Sequence, residues 1–206
     1  MNIAVSPQTI PITWQDYLSG NYDRSQIPWP RYRYSGTGVV EVGNELTRNI
    51  RIAQKLLLML LAQQGGHGVY TNSISVEVER SQKEERIPDV LVVSEECDRL
   101  LDDAPGIVTL VMPAPILVVE VISPSSVKAD LEEKPFEMME RGVGEYVSID
   151  WRKEIVQVWS RTEDSKNYNF SEYRTGDTGD AQVNQRVVLN SFPSLLITVD
   201  EMILKK

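Results

Sequence analysis

The pattern of apolar residues predicts one long helix in the first third of the chain. Between residues 44 and 63, apolar side chains recur with the period of an α-helix and fill one broad arc, with basic residues opposite. The glycine-rich stretch Gly65–Gly68 ends the helix. Two polar residues, Glu45 and Asn49, fall inside the apolar arc. For Glu45, the sequence leaves open a stabilising interaction with the helix N-terminus and a role in a site beneath the helix.

Several further segments have the patterns of β-strands. The alternation from Asn72 to Glu79 predicts a strand with one buried and one exposed face. A second strand is predicted over Ile87–Val93, where Pro88 is tolerated near the strand start. The nearly continuous apolar run Pro115–Ile122 predicts a third strand, buried on both faces. Shorter patterns predict a hairpin of residues 145–150 and 155–160, and strands at 168–173 and 186–189.

Proline and glycine set the limits of the remaining segments. Residues 1–43 combine many of these breakers with interspersed aromatic residues, which predicts an irregular arm around the fold with one short helix, Thr13–Ser19. The aromatic rings of this arm are interpreted as core cover rather than as a base-stacking surface. A helix is predicted over Pro135–Arg141, because proline fits only the first helical turn and a glycine follows. Residues 123–134 are predicted as a loop or a separate turn. A last short helix is predicted near residues 199–204.

Composition narrows the class of protein. A chain of 206 residues with 41% hydrophobic content can bury one substantial core, so residues 1–206 are predicted to form a single domain. The longest apolar stretch, Leu56–Ala62, is far shorter than the roughly 20 residues of a membrane span. No secretory leader pattern precedes it, so we expect a cytoplasmic protein without a membrane partner. Cys97 is the single cysteine, which excludes an intrachain disulfide and a cysteine-based zinc site.

The charge of the chain limits how it can meet nucleic acid. A formal net charge of −9 argues against broad attraction to phosphates. Any contact with nucleic acid is therefore expected to be local or mediated by a metal ion.

Two acidic residues in or beside apolar strands are the strongest chemical signal. Asp89 directly follows Pro88 at a strand start, and Glu120 lies within the apolar run. A carboxylate among apolar side chains must shift its pKa, pair with a cation or bind a metal ion. The pair predicts a divalent-metal site, and two clustered acids without metal should show at least one raised pKa. The alternatives are that Asp89 caps a turn and that Glu120 pairs with Arg86, Lys128 or Lys134.

Four segments together resemble a known family. They are Arg86-Ile-Pro-Asp-Val-Leu-Val-Val93, Pro115-Ile-Leu-Val-Val-Glu-Val-Ile-Ser-Pro-Ser-Ser126, the pair Asp130 and Lys134, and Gly142-Val-Gly-Glu-Tyr-Val-Ser-Ile-Asp150. Their order is similar to that of the PD-(D/E)XK nuclease superfamily and, within it, of the Uma-two family of restriction-endonuclease-like proteins. The resemblance covers about residues 41–204.

The resemblance implies a fold, a site and a reaction. The fold would be α/β (α+β), with a restriction-endonuclease-like mixed central sheet flanked by helices. Asp89 and Glu120 would bind Mg²⁺ or Mn²⁺, the carbonyl of Val121 would complete the inner coordination shell, and Glu45 would assist from the first helix. The reaction would be hydrolysis of phosphodiester bonds in nucleic acid, with DNA the expected substrate. Whether the protein acts as a homodimer is left open.

The chain departs from the superfamily at the catalytic lysine. Two residues after Glu120, where the superfamily has lysine, this chain has Ile122. The downstream lysine of the Uma-two pattern corresponds to Lys134, with Lys128 as a second candidate. Because Lys134 precedes a proline, its backbone is expected to be extended. The functional alternatives are therefore a nuclease, a degenerate relative that binds nucleic acid or metal without cleaving, and a protein-interaction module.

Overall fold

The computed structural model describes residues 8–29, 31–41, 46–79, 83–104, 106–124, 128–162, 167–175 and 186–205. In these ranges the strands are β1 (Thr9–Pro11), β2 (Tyr32–Ser35), β3 (Gly38–Glu41), β4 (Val69–Tyr70), β5 (Ser75–Glu79), β6 (Lys83–Arg86), β7 (Val90–Val92), β8 (Ile107–Val108), β9 (Leu117–Val121), β10 (Glu145–Asp150), β11 (Ile155–Arg161), β12 (Tyr168–Arg174), β13 (Arg186–Val187) and β14 (Ile197–Thr198). The helices are α1 (Trp14–Ser19), α2 (Thr47–Gln64), α3 (Glu95–Leu101), α4 (Lys134–Arg141) and α5 (Val199–Met202), with a 3-10 helix at Arg24–Gln26 and a π-helical turn at Ala129–Glu133.

Twelve of the described strands form two mixed sheets, and β13 and β14 form a separate antiparallel pair, which confirms the predicted α/β class. The central sheet has the order β12-β11-β10-β9-β7-β4, and the N-terminal sheet has the order β1-β3-β2-β6-β5-β8. In the central sheet β9 and β10 are parallel, while the neighbouring pairs are antiparallel. All five residues of β9 are buried, as its apolar run predicts.

The two faces of the central sheet pack against different elements. Val119 and Val121 of β9 pack on the face that contacts α2 and the C-terminal segment. Val118 points to the opposite face, where it packs in one cluster with Met138 of α4 and Val76 of β5. Alternate residues of one strand therefore lie in two separate cores.

Helix α2 begins three residues later than the apolar pattern predicts. Its first residue is Thr47, and Gly65 ends it with a left-handed φ of 73°. Glu45, with its predicted role, lies outside the described residues. No helix among the described residues is long and apolar enough to cross a membrane.

Strand β5 differs from its prediction, because its polar face is also buried. Glu77 is only 2% exposed. Its carboxylate pairs with Lys83 at 2.7 Å and accepts the backbone N–H of Leu110 at 2.9 Å. Alternation shows which residues share a face, but the neighbouring strand β6 and the loop after β8 decide whether that face meets water.

The N-terminal segment is more regular than predicted. Helix α1 is capped by Thr13, as expected, but β1, β2 and β3 join the edge of the N-terminal sheet. Proline and glycine near these short strands concealed them. The aromatic residues cover a small core, with ring centroids of Trp14 and Tyr34 4.9 Å apart, which confirms their interpretation as cover.

Candidate active site

Asp89 and Glu120 lie side by side on one face of the central sheet. The antiparallel ladder of β7 and β9 ends with the pair Val90 and Val119; Asp89 directly precedes Val90 and Glu120 directly follows Val119, and the charge of Asp89 acts on Glu120. Side chains opposite each other in such a ladder point to the same face. Both are buried, at 8% and 4% exposure, and Asp89 Oδ2 accepts the backbone N–H of Val121 at 2.5 Å. The structure therefore brings the two predicted carboxylates together.

Lys134 reaches this pair from the start of α4. Its Nζ lies 2.8 Å from Glu120 Oε1 and 2.8 Å from Asp130 Oδ1. Lys128, the second candidate, is exposed at the entrance to the π-helical turn. Lys134 is also one of the three cations predicted to pair with Glu120 as an alternative to metal binding.

The expected extended backbone at Lys134 is wrong. Its φ and ψ of −60° and −38° are helical. Pro135 disfavours this conformation, but the helical backbone places Lys134 four residues after Asp130 on the same side of the turn, where its ammonium pairs with Asp130 and Glu120. The segment before Pro135, predicted as a loop or a separate turn, includes this π-helical turn, which joins α4 directly.

The electrostatics of the site are dominated by burial. The pKa of Glu120 is raised to about 8, with burial as the largest cause; the ammonium of Lys134 opposes the rise, and the carboxylates of Asp89 and Asp130 add to it. The predicted rise in pKa is present, with burial rather than Asp89 as its largest cause. Burial alone lowers the pKa of Lys134, but the carboxylates of Glu120 and Asp130 outweigh it and shift that pKa upward.

Two residues without an assigned role in the sequence complete the cluster. Asp130 is 2% exposed, and the buried hydroxyl of Tyr146 donates to its backbone carbonyl at 2.9 Å. Burial and the nearby carboxylates raise the pKa of Tyr146 well above its ordinary value, so it acts as a neutral donor. The spacing of Asp130 and Lys134 by four residues predicts a pair only if the segment is helical, and the sequence predicts a loop or a separate turn there.

The backbone carbonyl of Val121, a predicted metal ligand, is held by the first turn of α2. Asn49 Nδ2 donates to this carbonyl at 2.8 Å, and Asn49 Oδ1 accepts from Trp151 Nε1 at 2.8 Å. These bonds explain why a polar residue faces inward in the apolar arc of α2. A carbonyl has two lone pairs, so one acceptor position on Val121 is compatible with a further ligand.

Arg86 has a different partner from the one considered for it. Its guanidinium binds both carboxylate oxygens of Glu137 on α4, with distances of 2.7 and 2.9 Å. It also pairs with Glu84 at 2.7 Å. Arg86 is thereby directed to α4 and β6, and Lys134 is the cation that contacts Glu120.

The donor set fits a hard divalent cation. Carboxylate and carbonyl oxygens suit Mg²⁺ and Mn²⁺, and Mg²⁺ usually keeps several waters while one or two carboxylates bind it. Asp89, Glu120 and the Val121 carbonyl match that requirement in type and number. Within the described ranges, no group of three or more His, Cys, Asp or Glu side chains is placed to hold a metal ion. The fit is therefore to a two-carboxylate site.

The fold and this cluster define a restriction-endonuclease-like protein. A crystal structure of a "putative nuclease belonging to DUF820" from Anabaena variabilis ATCC 29413 has the same fold, with a TM-score of 0.64 and 13% identity over 94% of this chain and 98% of that chain. The Uma2 family model, described as "Putative restriction endonuclease", matches residues 14–198, and the chain belongs to this family. No curated protein matches the chain. Family and fold together support a nuclease-like function.

Proposed function

We propose that the protein is a metal-dependent endonuclease that hydrolyses phosphodiester bonds of nucleic acid, with DNA as its substrate. The proposal is supported above all by the position of Lys134 Nζ, which lies 2.8 Å from the carboxylate of Glu120. Asp89 lies beside Glu120, at the start of the neighbouring strand. This arrangement supplies two acidic ligands and a cation although the usual lysine position holds Ile122.

Each residue has a role in this proposal. Asp89 and Glu120 would hold Mg²⁺ or Mn²⁺, with the Val121 carbonyl as a third ligand. The bound ion would lower the pKa of a water molecule, orient it for in-line attack and offset charge on the phosphate. The ammonium of Lys134 would orient that water and stabilise the negative charge that develops on the phosphate. Glu45 is proposed to assist from the residues that precede α2.

One observation favours a second candidate function. The Lys134 ammonium already compensates the charge of Glu120, as a structural ion pair in a degenerate site would do. In that case the protein would bind nucleic acid or metal without cleaving it. Calorimetric titration with Mn²⁺ together with a cleavage assay separates the two candidates.

The test is plasmid nicking at low salt with Mg²⁺ and Mn²⁺, repeated on RNA. Wild type should nick DNA, Asp89→Ala and Glu120→Ala should abolish nicking, and Lys134→Met should reduce it while Mn²⁺ binding persists. Glu96→Ala, at an exposed position on α3, is the matched control and should cleave like wild type. Cleavage that survives both acidic substitutions would contradict the proposal, and Mn²⁺ binding without cleavage by wild type would favour the degenerate site.

A further inference from the structure

A second buried carboxylate lies against Lys134, and the proposed reaction does not use it. Asp130 is 2% exposed, and its Oδ1 is as close to Lys134 Nζ as Glu120 Oε1 is, at 2.8 Å each. The ammonium therefore lies between two carboxylates. One carboxylate is enough to neutralise one ammonium, and burying an additional negative charge is costly. The presence of Asp130 thus calls for a physical reason.

Asp130 is attached to the sheet that carries Glu120. Tyr146 of β10 donates to the Asp130 carbonyl at 2.9 Å, and Tyr146 pairs with Val118 of β9, two residues before Glu120. Asp130 belongs to the π-helical turn Ala129–Glu133, and such turns are frequent at functional sites. The aspartate and the glutamate that share Lys134 are therefore held by adjacent strands of one rigid sheet.

We propose that Asp130 is a positioning residue that keeps Lys134 paired and in place while Glu120 binds the metal ion. This inference rests on the proposed function. A cation bound by Glu120 competes with the Lys134 ammonium for the same carboxylate. Asp130 supplies a second carboxylate. When Glu120 binds the cation, the ammonium can therefore lose its ion pair with Glu120 without becoming an unpaired buried charge. Lys134 then stays beside the site for the reaction.

A double-mutant cycle on Mn²⁺ affinity tests this role without relying on cleavage. Calorimetric titration compares wild type, Asp130→Asn, Lys134→Met and the double variant. We expect Asp130→Asn to weaken Mn²⁺ binding by about 10- to 100-fold, the usual effect of removing an outer partner of a metal ligand. In the Lys134→Met background the same substitution should change the affinity little, because no ammonium then competes for Glu120. An equal loss in both backgrounds would mean that Asp130 acts on the cation directly, and would overturn the inference.

The chain offers a matched control in the same turn. Glu132 is exposed and lies two residues after Asp130 in the same turn, away from the contact with Lys134. The substitution Glu132→Gln removes one unit of negative charge, as Asp130→Asn does. This variant should bind Mn²⁺ like wild type, whereas an equal loss would reduce the effect of Asp130 to general electrostatics and overturn the inference. Asp130→Glu should recover part of the affinity. If Asp130→Asn fails to fold, Tyr146→Phe replaces it in the cycle. It should then weaken Mn²⁺ binding in the wild-type background and change it little in the Lys134→Met background.

A second readout separates failure of this inference from failure of the proposed function. The ammonium protons of Lys134, observed by side-chain ¹⁵N NMR without metal, should exchange slowly in wild type and Glu132→Gln and faster in Asp130→Asn. If wild type binds no Mn²⁺, the proposed function fails whatever the NMR result. If wild type binds Mn²⁺ but exchange at Lys134 is the same with and without Asp130, the positioning role is wrong and the proposed function stands.

Discussion

At the scale of single residues, eight carboxylates of the described part of the chain are buried, and their partners differ in kind. Glu145 is satisfied by neutral donors, with backbone N–H groups of Asn190 and Ser191 at 2.8 Å each. Glu137 has a bidentate arginine. Glu120 pairs with the ammonium of Lys134, which also contacts Asp130, and its pKa is raised to about 8. A strongly raised pKa in a buried cluster of charged groups marks a candidate functional site.

The pair of Arg86 and Glu137 should contribute to stability as a unit. Arg86→Met leaves Glu137 buried without its bidentate partner, and we expect a loss of about 3–5 kcal/mol in the free energy of unfolding. The double variant Arg86→Met, Glu137→Met should recover much of that loss, because the uncompensated charge is gone. Urea unfolding measures both. A double variant at least as unstable as the single one would contradict this account.

Glu85 should make stability depend on pH. Burial raises its pKa above the ordinary 4.5, although Tyr17, Ser75 and the backbone N–H of Tyr34 donate to it. Because the folded-state pKa is raised, folding favours the neutral acid, so this contribution is present below pH 4.5 and declines as pH rises through the raised pKa.

Glu85→Gln removes this titration and keeps the geometry. The amide oxygen can accept from Tyr17 and Tyr34, and the amide NH₂ can donate to Ser75 Oγ. The free energy of unfolding should therefore fall less with rising pH in the variant than in wild type, as measured by urea titrations from about pH 4 to pH 8. Parallel pH profiles for the two proteins would refute the role of Glu85.

At the scale of elements, the carboxyl end of β9 is where three segments meet. The first turn of α2 binds the Val121 carbonyl through Asn49, the start of α4 brings Lys134 to Glu120, and Asp89, directly before β7, accepts the Val121 N–H. Each segment contributes a residue at or next to one of its ends. The site therefore depends on where elements begin and end more than on their interiors.

The loop from α2 to β4 gives a test of how closely elements pack near β7. Gly66 and Gly68 both have left-handed φ angles, of 95° and 66°. A Cβ at Gly66 meets nothing within 4 Å, but a Cβ at Gly68 would lie 2.8 Å from the Val93 carbonyl oxygen. Gly66→Ala should cost roughly 1 kcal/mol from backbone strain alone. Gly68→Ala should cost clearly more in thermal and urea unfolding, and equal losses would show that the loop can move aside.

At the scale of the whole molecule, the negative charge restricts how a phosphate backbone can approach. The chain carries a formal net charge of −9, and part of its negative charge lies in the buried carboxylates of the candidate site. Like charges repel over roughly a Debye length, about 8 Å at physiological ionic strength. A bound divalent cation would offset the charge of these carboxylates and give nucleic acid a favourable point of contact.

Nucleic-acid binding should therefore depend on the divalent ion. Fluorescence anisotropy with a labelled duplex and Lys134→Met, chosen to limit cleavage, should show tighter binding with Mn²⁺ than without it. Salt should weaken that binding, because phosphate contacts release counterions. Adding Asp89→Ala and Glu120→Ala should remove the response to Mn²⁺. Equally tight binding with and without the ion would place the nucleic-acid contact elsewhere.

Elements whose signals are local could be predicted from the residues alone. The apolar arc of α2, the doubly buried β9 and the hairpin of β10 and β11 are all present as predicted, within a few residues at their ends. Asp89 and Glu120 stood out because a carboxylate in an apolar strand conflicts with its surroundings, a conflict visible in the residues alone.

Features that depend on neighbours distant in sequence become visible only in the folded chain. Only the packing of β5 shows that its polar face is buried, and only pairing to the N-terminal sheet makes strands of β1 to β3. Likewise, Lys134 is helical before a proline because Glu120 and Asp130 bind its side chain, which outweighs a local backbone preference. Local patterns encode which face a residue occupies, whereas long-range contacts decide what that face meets.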